Sequence, residues 1–502
     1  MKRKRIFPLT ALVLLFALLA SSCGGGKTPA EQTTAATSAT TTATAATTAT
    51  SATTATSTTA ASTVEPYTPP TDFDGYEFRL MLACADPTLR ALYNYGGPSN
   101  ALENQLLHEF RELEERLNIK ITYDWLNMEG MIPYAAAGKA SGDAFSTFTH
   151  YFPYYAARGY LLPLNTDLVR SAGLDVDDPE RVDYYATQLS KQLDGENVWH
   201  VVFSGRYTLD YLWGYGIVFN KRLLEAAGYP ADTMYQLVRD GRWTWSKFEE
   251  ICRTVAGTAG EDEYSYCKGT LLYDLADMAT FTPLISRGDD GGWRSNMDTP
   301  EFRSAAELFD RIFEFPKGEY GATAEWEMSS GGYGLTKTLV WEGKLAMFIG
   351  SGSDFSYYDD THTVSKKVDY DYGFIPMPKV SEEAEYVSVY NTYGYCIESA
   401  NPDPQRSAYI LSEIGKILND TSETAVNIRG YLRDAESLEM ITEYVRPNSV
   451  LPIMVEVRNF VKTVNGGLQC YYADLDTAKS LDEIISTYHP QLQAALDELF
   501  EQ

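Results

Sequence analysis

The apolar positions of this chain follow two spacings that take turns. Glu77–Leu82 alternates and then runs apolar, as a strand entering a core does. Leu102–Leu117 repeats apolar residues at helical spacing among many glutamates, and Ile119–Tyr123 returns to strand spacing. A strand, helix and strand of these lengths predict a right-handed crossover and a mainly parallel sheet. Helical spacing recurs at 221–227, 245–255, 302–313, 405–418, 438–444 and 481–500. Between these lie short apolar runs at 198–203, 212–219, 345–349 and 373–376, so the chain reads as α/β. About 430 residues follow position 70, more than one core usually organises, and two lobes are expected. The sequence holds no repeat of solenoid length.

The first 70 residues belong to neither pattern. Lys2, Arg3, Lys4 and Arg5 precede an apolar run from Leu9 to Ala20 that is too short to span a bilayer, which reads as a secretory signal. Ala20, Ser21, Ser22 and Cys23, followed by three glycines, resemble a bacterial lipobox, with Leu19 one place earlier than the commonest spacing. That resemblance implies a signal peptide over 1–22 and diacylation of Cys23 (palmitate is the usual label), which becomes the mature N-terminus. The other reading is an ordinary cleaved signal with an incidental cysteine. Residues 23–70 are mostly Thr, Ala and Ser and have nothing large to bury, so a disordered tether is expected. A flexible coil of that length spans about 35–40 Å on average.

Composition narrows the partners. The formal charge is −28, and it becomes −32 once the four basic residues of the signal are removed, so neither nucleic acid nor an anionic membrane surface is an expected partner. The six cysteines form no CxxC and no regular framework. Cys252 and Cys267 either close a surface loop or sit as buried thiols. The five histidines show no HExxH and no i, i+4 pair, and there is no GxSxG or GxGxxG. No metal, cofactor or catalytic residue is therefore assigned. The loop Gly288–Trp293 lacks EF-hand spacing and reads as a solvated turn.

Several stretches, in order, resemble the extracellular solute-binding proteins of ABC importers, the family that includes the maltose-binding protein. Gly214–Gly228 is similar to its strand, Asn-Lys turn and helix ending in glycine. Trp243–Phe248 resembles its Thr-Trp helix start, and Trp341–Met347 its Gly-Lys-x-Ala-Met element. Gly159–Asn165, Leu193–Glu196 and Tyr372–Pro378 fit three further landmarks, so the resemblance spans about 71–500. Locally, Asn220 suits an N-cap after a strand, Thr244 or Ser246 another, and Gly228 a left-handed helix end.

The resemblance implies a periplasmic-binding-protein-like fold: two α/β lobes joined by a multi-segment hinge, with a ligand cleft between them. One lobe is expected over about 71–200 plus 395–440, the other over about 206–390 plus 441–502. The chain would cross near Val198–Gly205, near Tyr390–Tyr395 and again in the 430s or 440s. It also implies a monomeric, lipid-anchored sugar-transport component on the outer face of the cytoplasmic membrane. That face is extracellular in a Gram-positive cell and periplasmic in a Gram-negative one. The membrane would be touched only through the lipid, and the working partners would be a carbohydrate and the transmembrane subunits of an ABC permease.

The chain has 36 Tyr and 8 Trp, many in turn-rich segments. A sugar ring offers C–H groups on its face and hydroxyls on its edge; aromatic faces suit the first, and carboxylates, amides and Arg the second. The aromatic candidates are Tyr151, Tyr154, Tyr155, Tyr207, Trp213, Tyr215, Trp293, Trp326 and Phe355. The polar ones are Asn100, Asp143, Arg206, Asp210, Glu325 and Asp354. By analogy with the family, the Thr149–Tyr155 loop, the loop after Met347 and the segment around Tyr207–Tyr215 lie near the cleft. Sugar binders of this kind often place tryptophans after the Ala-Met element; here Gly350–Phe355 stands instead. Two other readings stay open: a binding protein for a peptide or other cationic solute, and a tethered glycoside hydrolase with two facing carboxylates.

Overall fold

A computed structural model describes residues 65–83, 89–93, 97–98, 101–126, 128–149, 151–203, 214–260, 262–267, 279–288, 290–313, 339–340, 342–351, 357–358, 364–365, 370–390, 392–419, 432–451 and 480–500. The signal, Cys23 and nearly all of the tether lie outside these residues. So do Asn100, Arg206, Tyr207, Asp210, Trp213, Glu325, Trp326, Asp354 and Phe355.

Two four-stranded sheets organise Thr63–Gln502. The first runs, edge to edge, Tyr393–Cys396, Ala144–Phe148, Tyr76–Leu82 and Ile119–Trp125. Its last three strands are parallel, as the opening pattern predicts, with Tyr76 opposite Ile119 and Leu80 opposite Ala144. The helix Ala101–Leu117 makes the crossover and buries Leu106, Phe110, Leu113 and Leu117 at helical spacing. Tyr393–Cys396 joins antiparallel, with Tyr393 opposite Phe148.

The second sheet is mixed: Tyr372–Pro376, Gly216–Asn220, Leu345–Gly350 and Tyr264–Cys267, with only the last pair parallel. The sequence pattern identifies three of these strands and passes over Tyr264–Cys267, which is four residues long. Ala144–Phe148 and Tyr393–Cys396 also go unseen, because short strands buried on both faces carry no alternation. The run at 198–203 forms no strand; only Val201 bridges to Tyr395. The helix expected at 438–444 divides into Ala435–Glu439 and a π-helical Met440–Val445. Cys252 is a buried free thiol, which excludes its pairing with Cys267.

The sheets share apolar packing. One buried layer, including Phe78, Leu80, Phe110 and Ile410, belongs to the first sheet alone. The largest buried cluster runs from Met81 and Phe145 through Phe152 and Val202 to Phe219, Trp243 and Met347 on the second.

The local signals behave as their chemistry requires. Asn220 Oδ1 accepts from Arg222 N at 3.1 Å and Leu223 N at 3.3 Å, capping the helix Lys221–Ala226. Asn220 Nδ2 donates to Gly343 O at 3.1 Å, tying that cap to the neighbouring strand's approach. Thr244 Oγ1 caps Trp245–Thr258 from Lys247 N, and Gly228 takes φ +88° beyond its helix.

His200 packs against the first sheet beside Gly394, fully buried, its ring stacked on Phe152 at 4.4 Å and 26°. A Cβ at Gly394 would come within 2.6 Å of His200 Cδ2, so the backbone opposite must be glycine. Burial pushes the imidazole pKa down to about 3, and a weak backbone contact at Ala186 does little against it. The ring is therefore neutral throughout the physiological range.

Replacing Asn220 with Ala removes the cap and one donor to Gly343 at a buried site; denaturant titration should show a loss of roughly 1–3 kcal/mol, with N220D recovering the cap alone. His200 predicts a pH dependence. Protons bind the unfolded chain near pH 6.5 and the folded one only near pH 3, so stability present above pH 6.5 is lost as pH falls. Between pH 7.5 and 5 that loss is about 2 kcal/mol. Melting curves of wild type and H200N across this window should diverge, the variant showing the flatter dependence; parallel curves would refute the assignment.

Candidate functional site

In open α/β sheets, ligands bind beyond the carboxyl ends of the strands. In the first sheet the three parallel strands end at Leu82, Trp125 and Phe148, and the antiparallel Tyr393–Cys396 contributes its first residue to the same edge. Phe148 and Tyr393 meet there at 4.2 Å and 32°, and Tyr151 stands edge-on to Phe148 at 6.4 Å. Phe148 and Tyr151 are half-buried, and Tyr393 is buried. In the second sheet, Leu345–Gly350 and Tyr264–Cys267 end beside the start of Gly216–Asn220, putting Tyr215, Gly350 and Ser351 at one edge.

These two edges are tied by the segment Ser388–Thr392. Val389 O accepts from Tyr215 N at 2.9 Å, and Ser388 Oγ donates to Tyr215 O. Ser388 and Val389 pair in parallel with Ser449 and Val450, and Tyr390 N donates to Val450 O at 3.1 Å. Two residues on, Thr149 N donates to Thr392 O at 2.8 Å and Thr392 N to Thr149 Oγ1 at 3.1 Å. One stretch of backbone thus bonds to the second sheet at its start and to the first at its end.

A buried ion pair reinforces this junction. Arg446 Nη2 lies 2.7 Å from both carboxylate oxygens of Asp183, whose side chain is wholly buried. Burial opposes the guanidinium charge, and Asp183 more than restores it, so its pKa rises above the ordinary arginine value. Tyr390 is enclosed beside the pair; burial first, and Asp183 second, hold its hydroxyl protonated. Gln192 adds a neutral tie, donating to Ser449 O at 3.3 Å and accepting from Leu451 N at 2.8 Å.

Among the sequence candidates, the structure brings Tyr151 to the carboxyl edge and sets others aside. Tyr154 and Tyr155 are buried and edge-on to each other at 5.2 Å, and Arg158 covers the Tyr154 ring at 3.9 Å. Tyr215 is buried at the junction. Trp293 gives its face to Phe500 at 4.7 Å and 23°, so that ring is structural. Asp143 is consumed inside the first lobe, accepting from Tyr76 OH and, at 2.8 Å, from Arg79 N. Sequence reasoning missed Phe148, Tyr393, Asp183 and Arg446. Phe148 and Tyr393 meet only through strand pairing across distant parts of the chain, and the spacing of Asp183 and Arg446 carries no local signal.

The described surface offers another concavity, a groove of about 680 Å³ between Ala101–Leu117 and Pro404–Leu418. Leu117 leads into the start of Ile119–Trp125, so this groove lies toward the amino ends of the strands. Its two cations both turn to Glu413, Arg116 at 2.7 Å and Lys416 on the same carboxylate. Among the described residues no cluster of three or more His, Cys, Asp or Glu could hold a metal ion, and no helix is long and apolar enough to cross a membrane.

The sequence matches the family model of bacterial extracellular solute-binding proteins over residues 102–405. No curated relative matches it by sequence. In fold it is similar to UgpB from Mycobacterium tuberculosis in complex with glycerophosphocholine, at 15% identity and TM-score 0.57 over 84% of this chain and 98% of that one. It is also similar to the sugar-binding protein MalE from Xanthomonas citri, at 13% identity and TM-score 0.55 over 85% and 99%. A third similar structure is an ABC transporter solute-binding protein from Thermotoga lettingae bound with α-D-tagatose, at 14% identity and TM-score 0.52 over 84% and 100%. At these identities the likeness is one of fold: periplasmic-binding-protein-like, with mixed α/β sheets. Since the family match covers more than half of its length, the chain belongs to the bacterial extracellular solute-binding proteins.

Proposed function

We propose that this protein is the lipid-anchored substrate-binding component of an ABC importer, capturing a sugar or oligosaccharide and passing it to a membrane permease. The observation that carries this reading is the pair of half-buried rings at the carboxyl edge of the first sheet, Phe148 and Tyr151, with the buried Tyr393 packed on Phe148, in a chain of the solute-binding family. Such rings suit the C–H face of a sugar. Two of the similar structures are sugar-related, one bound with tagatose and one described as sugar-binding.

In this reading the first lobe spans about 71–203 and 392–419, the second about 214–390 and 434–500. The second begins again by Asp434 because its carboxylate pairs with Lys221 at 2.6 Å and accepts from Tyr235 OH at 2.6 Å. Closure is a hinge motion about the segments that join the lobes, the described Ser388, Val389, Tyr390 and Thr392 among them, driven by a ligand that touches both lobes. The protein works as a monomer, catalyses nothing, and docks closed on the permease.

A second reading has one observation in its favour: a similar structure holds glycerophosphocholine. Aromatic faces also receive quaternary ammonium groups, and the strongly negative chain would favour a cation.

A thermal-shift panel of mono- and oligosaccharides, sugar alcohols and glycerophosphocholine separates these. A saccharide at 100 times its Kd should add about 2.7 kcal/mol of stability and be recovered unchanged. A response to glycerophosphocholine alone would favour the second reading, and new reducing ends would establish a hydrolase. The anchor has its own test. Membrane fractionation should find the wild type with the membrane and C23A in the soluble fraction, since the acyl chains supply the attachment; retention of C23A would refute lipidation.

A further inference from the structure

Among the large apolar side chains described, Trp125 is the most exposed, at 55%. Its strand explains why this is unusual. Ile119 and Ile121, on the same face, are buried, and the intervening outward positions carry Lys120 and Asp124. Any polar residue would serve at the strand's end if solvation were the sole demand.

Its place is fixed from two sides. Trp125 is opposite Leu82 in the ladder, and Leu126 N donates to Leu82 O at 3.2 Å one residue beyond. Leu82 is in turn opposite Ser146, two residues before Phe148. Tyr93 braces the indole edge-on at 5.2 Å and 86°. The ring is thus held on a rigid strand end rather than a loop, with more than half its surface open.

The position is the carboxyl edge already described, two strand spacings, roughly 10 Å, across the sheet from Ser146, with Phe148 two residues further along. That separation is too wide for one sugar ring to touch both groups of aromatics. It suits successive rings of one chain.

We infer that Trp125, braced by Tyr93, is the stacking platform of an outlying subsite, and that the ligand is an oligosaccharide whose first ring lies at Phe148 and Tyr151. This rests on the saccharide reading above. Stacking needs no hydrogen-bond partner from Trp125 itself, only an exposed, pre-oriented face, and ordering cost on binding is low because the ring is already fixed.

The test is calorimetric titration of wild type, W125A and W125F with the gluco-, cello- and xylo-series from monosaccharide to tetrasaccharide. W125A should weaken the tri- and tetrasaccharide roughly tenfold while a monosaccharide changes less than about twofold, and W125F should retain most of the longer-chain affinity. Because the ring is exposed, unliganded melting temperatures should match. Tryptophan emission should shift to the blue on adding a long saccharide to wild type, and that shift should be missing from W125F. Long saccharides bound equally well by wild type and W125A would overturn the subsite and leave saccharide binding standing. An equal loss at every length would do the same. A wild type that binds no member of any series would overturn both.

Discussion

A polypeptide that passes between two sheets must satisfy its own buried N–H and C=O groups on the way, because an unpaired one costs as much as a lost hydrogen bond. Val389, Tyr390 and Thr392 meet that demand by borrowing from both sides: Tyr215 and Val450 at one end, Thr149 at the other. The remaining architecture is arranged around this solution. Thr149 follows Phe148, so the hydroxyl that serves the crossing also fixes where the aromatic edge begins. Tyr215 opens the central strand of the second sheet, so the same segment sets that sheet's nearer edge.

The ion pair of Asp183 and Arg446 belongs to the same problem. A charge pair out of water is seldom a strong source of stability, but removing one partner is costly, because the other is left alone. Asp183 also caps the helix Tyr184–Gln188 through Ala186 N, and its backbone N–H donates to Val202 O. Arg446 begins the short turn before Ser449 and Val450. The pair therefore links a helix beside the first crossing to the segment that pairs with the second, and it favours one register between them.

The fold was legible wherever periodicity was long. Tyr76–Leu82, Ala101–Leu117 and Ile119–Trp125 declare themselves as strand, helix and strand, and their parallel pairing follows from connection length. Asn220, Thr244 and Gly228 were legible because caps and left-handed turns are local chemistry. The candidate site was far less so. A tyrosine in a turn-rich segment looks the same whether it faces a ligand or fills a core: Tyr155 and Trp293 share the sequence character of Tyr151, yet burial took the first two. Trp125 is the reverse case, a ring at the end of a strand whose neighbours were read as framework. Whether a side chain lies under a helix or beyond its end depends on where that helix stops relative to the strand, which no spacing within the strand reveals.

The pairing of residue 393 with residue 148 has a consequence for how the molecule comes into being. A chain that emerges amino end first presents Ala144–Phe148 with one side of its ladder open until some 245 further residues have followed. Such an open edge invites pairing with other chains. The first sheet thus remains unfinished until the carboxyl-terminal third supplies Tyr393–Cys396.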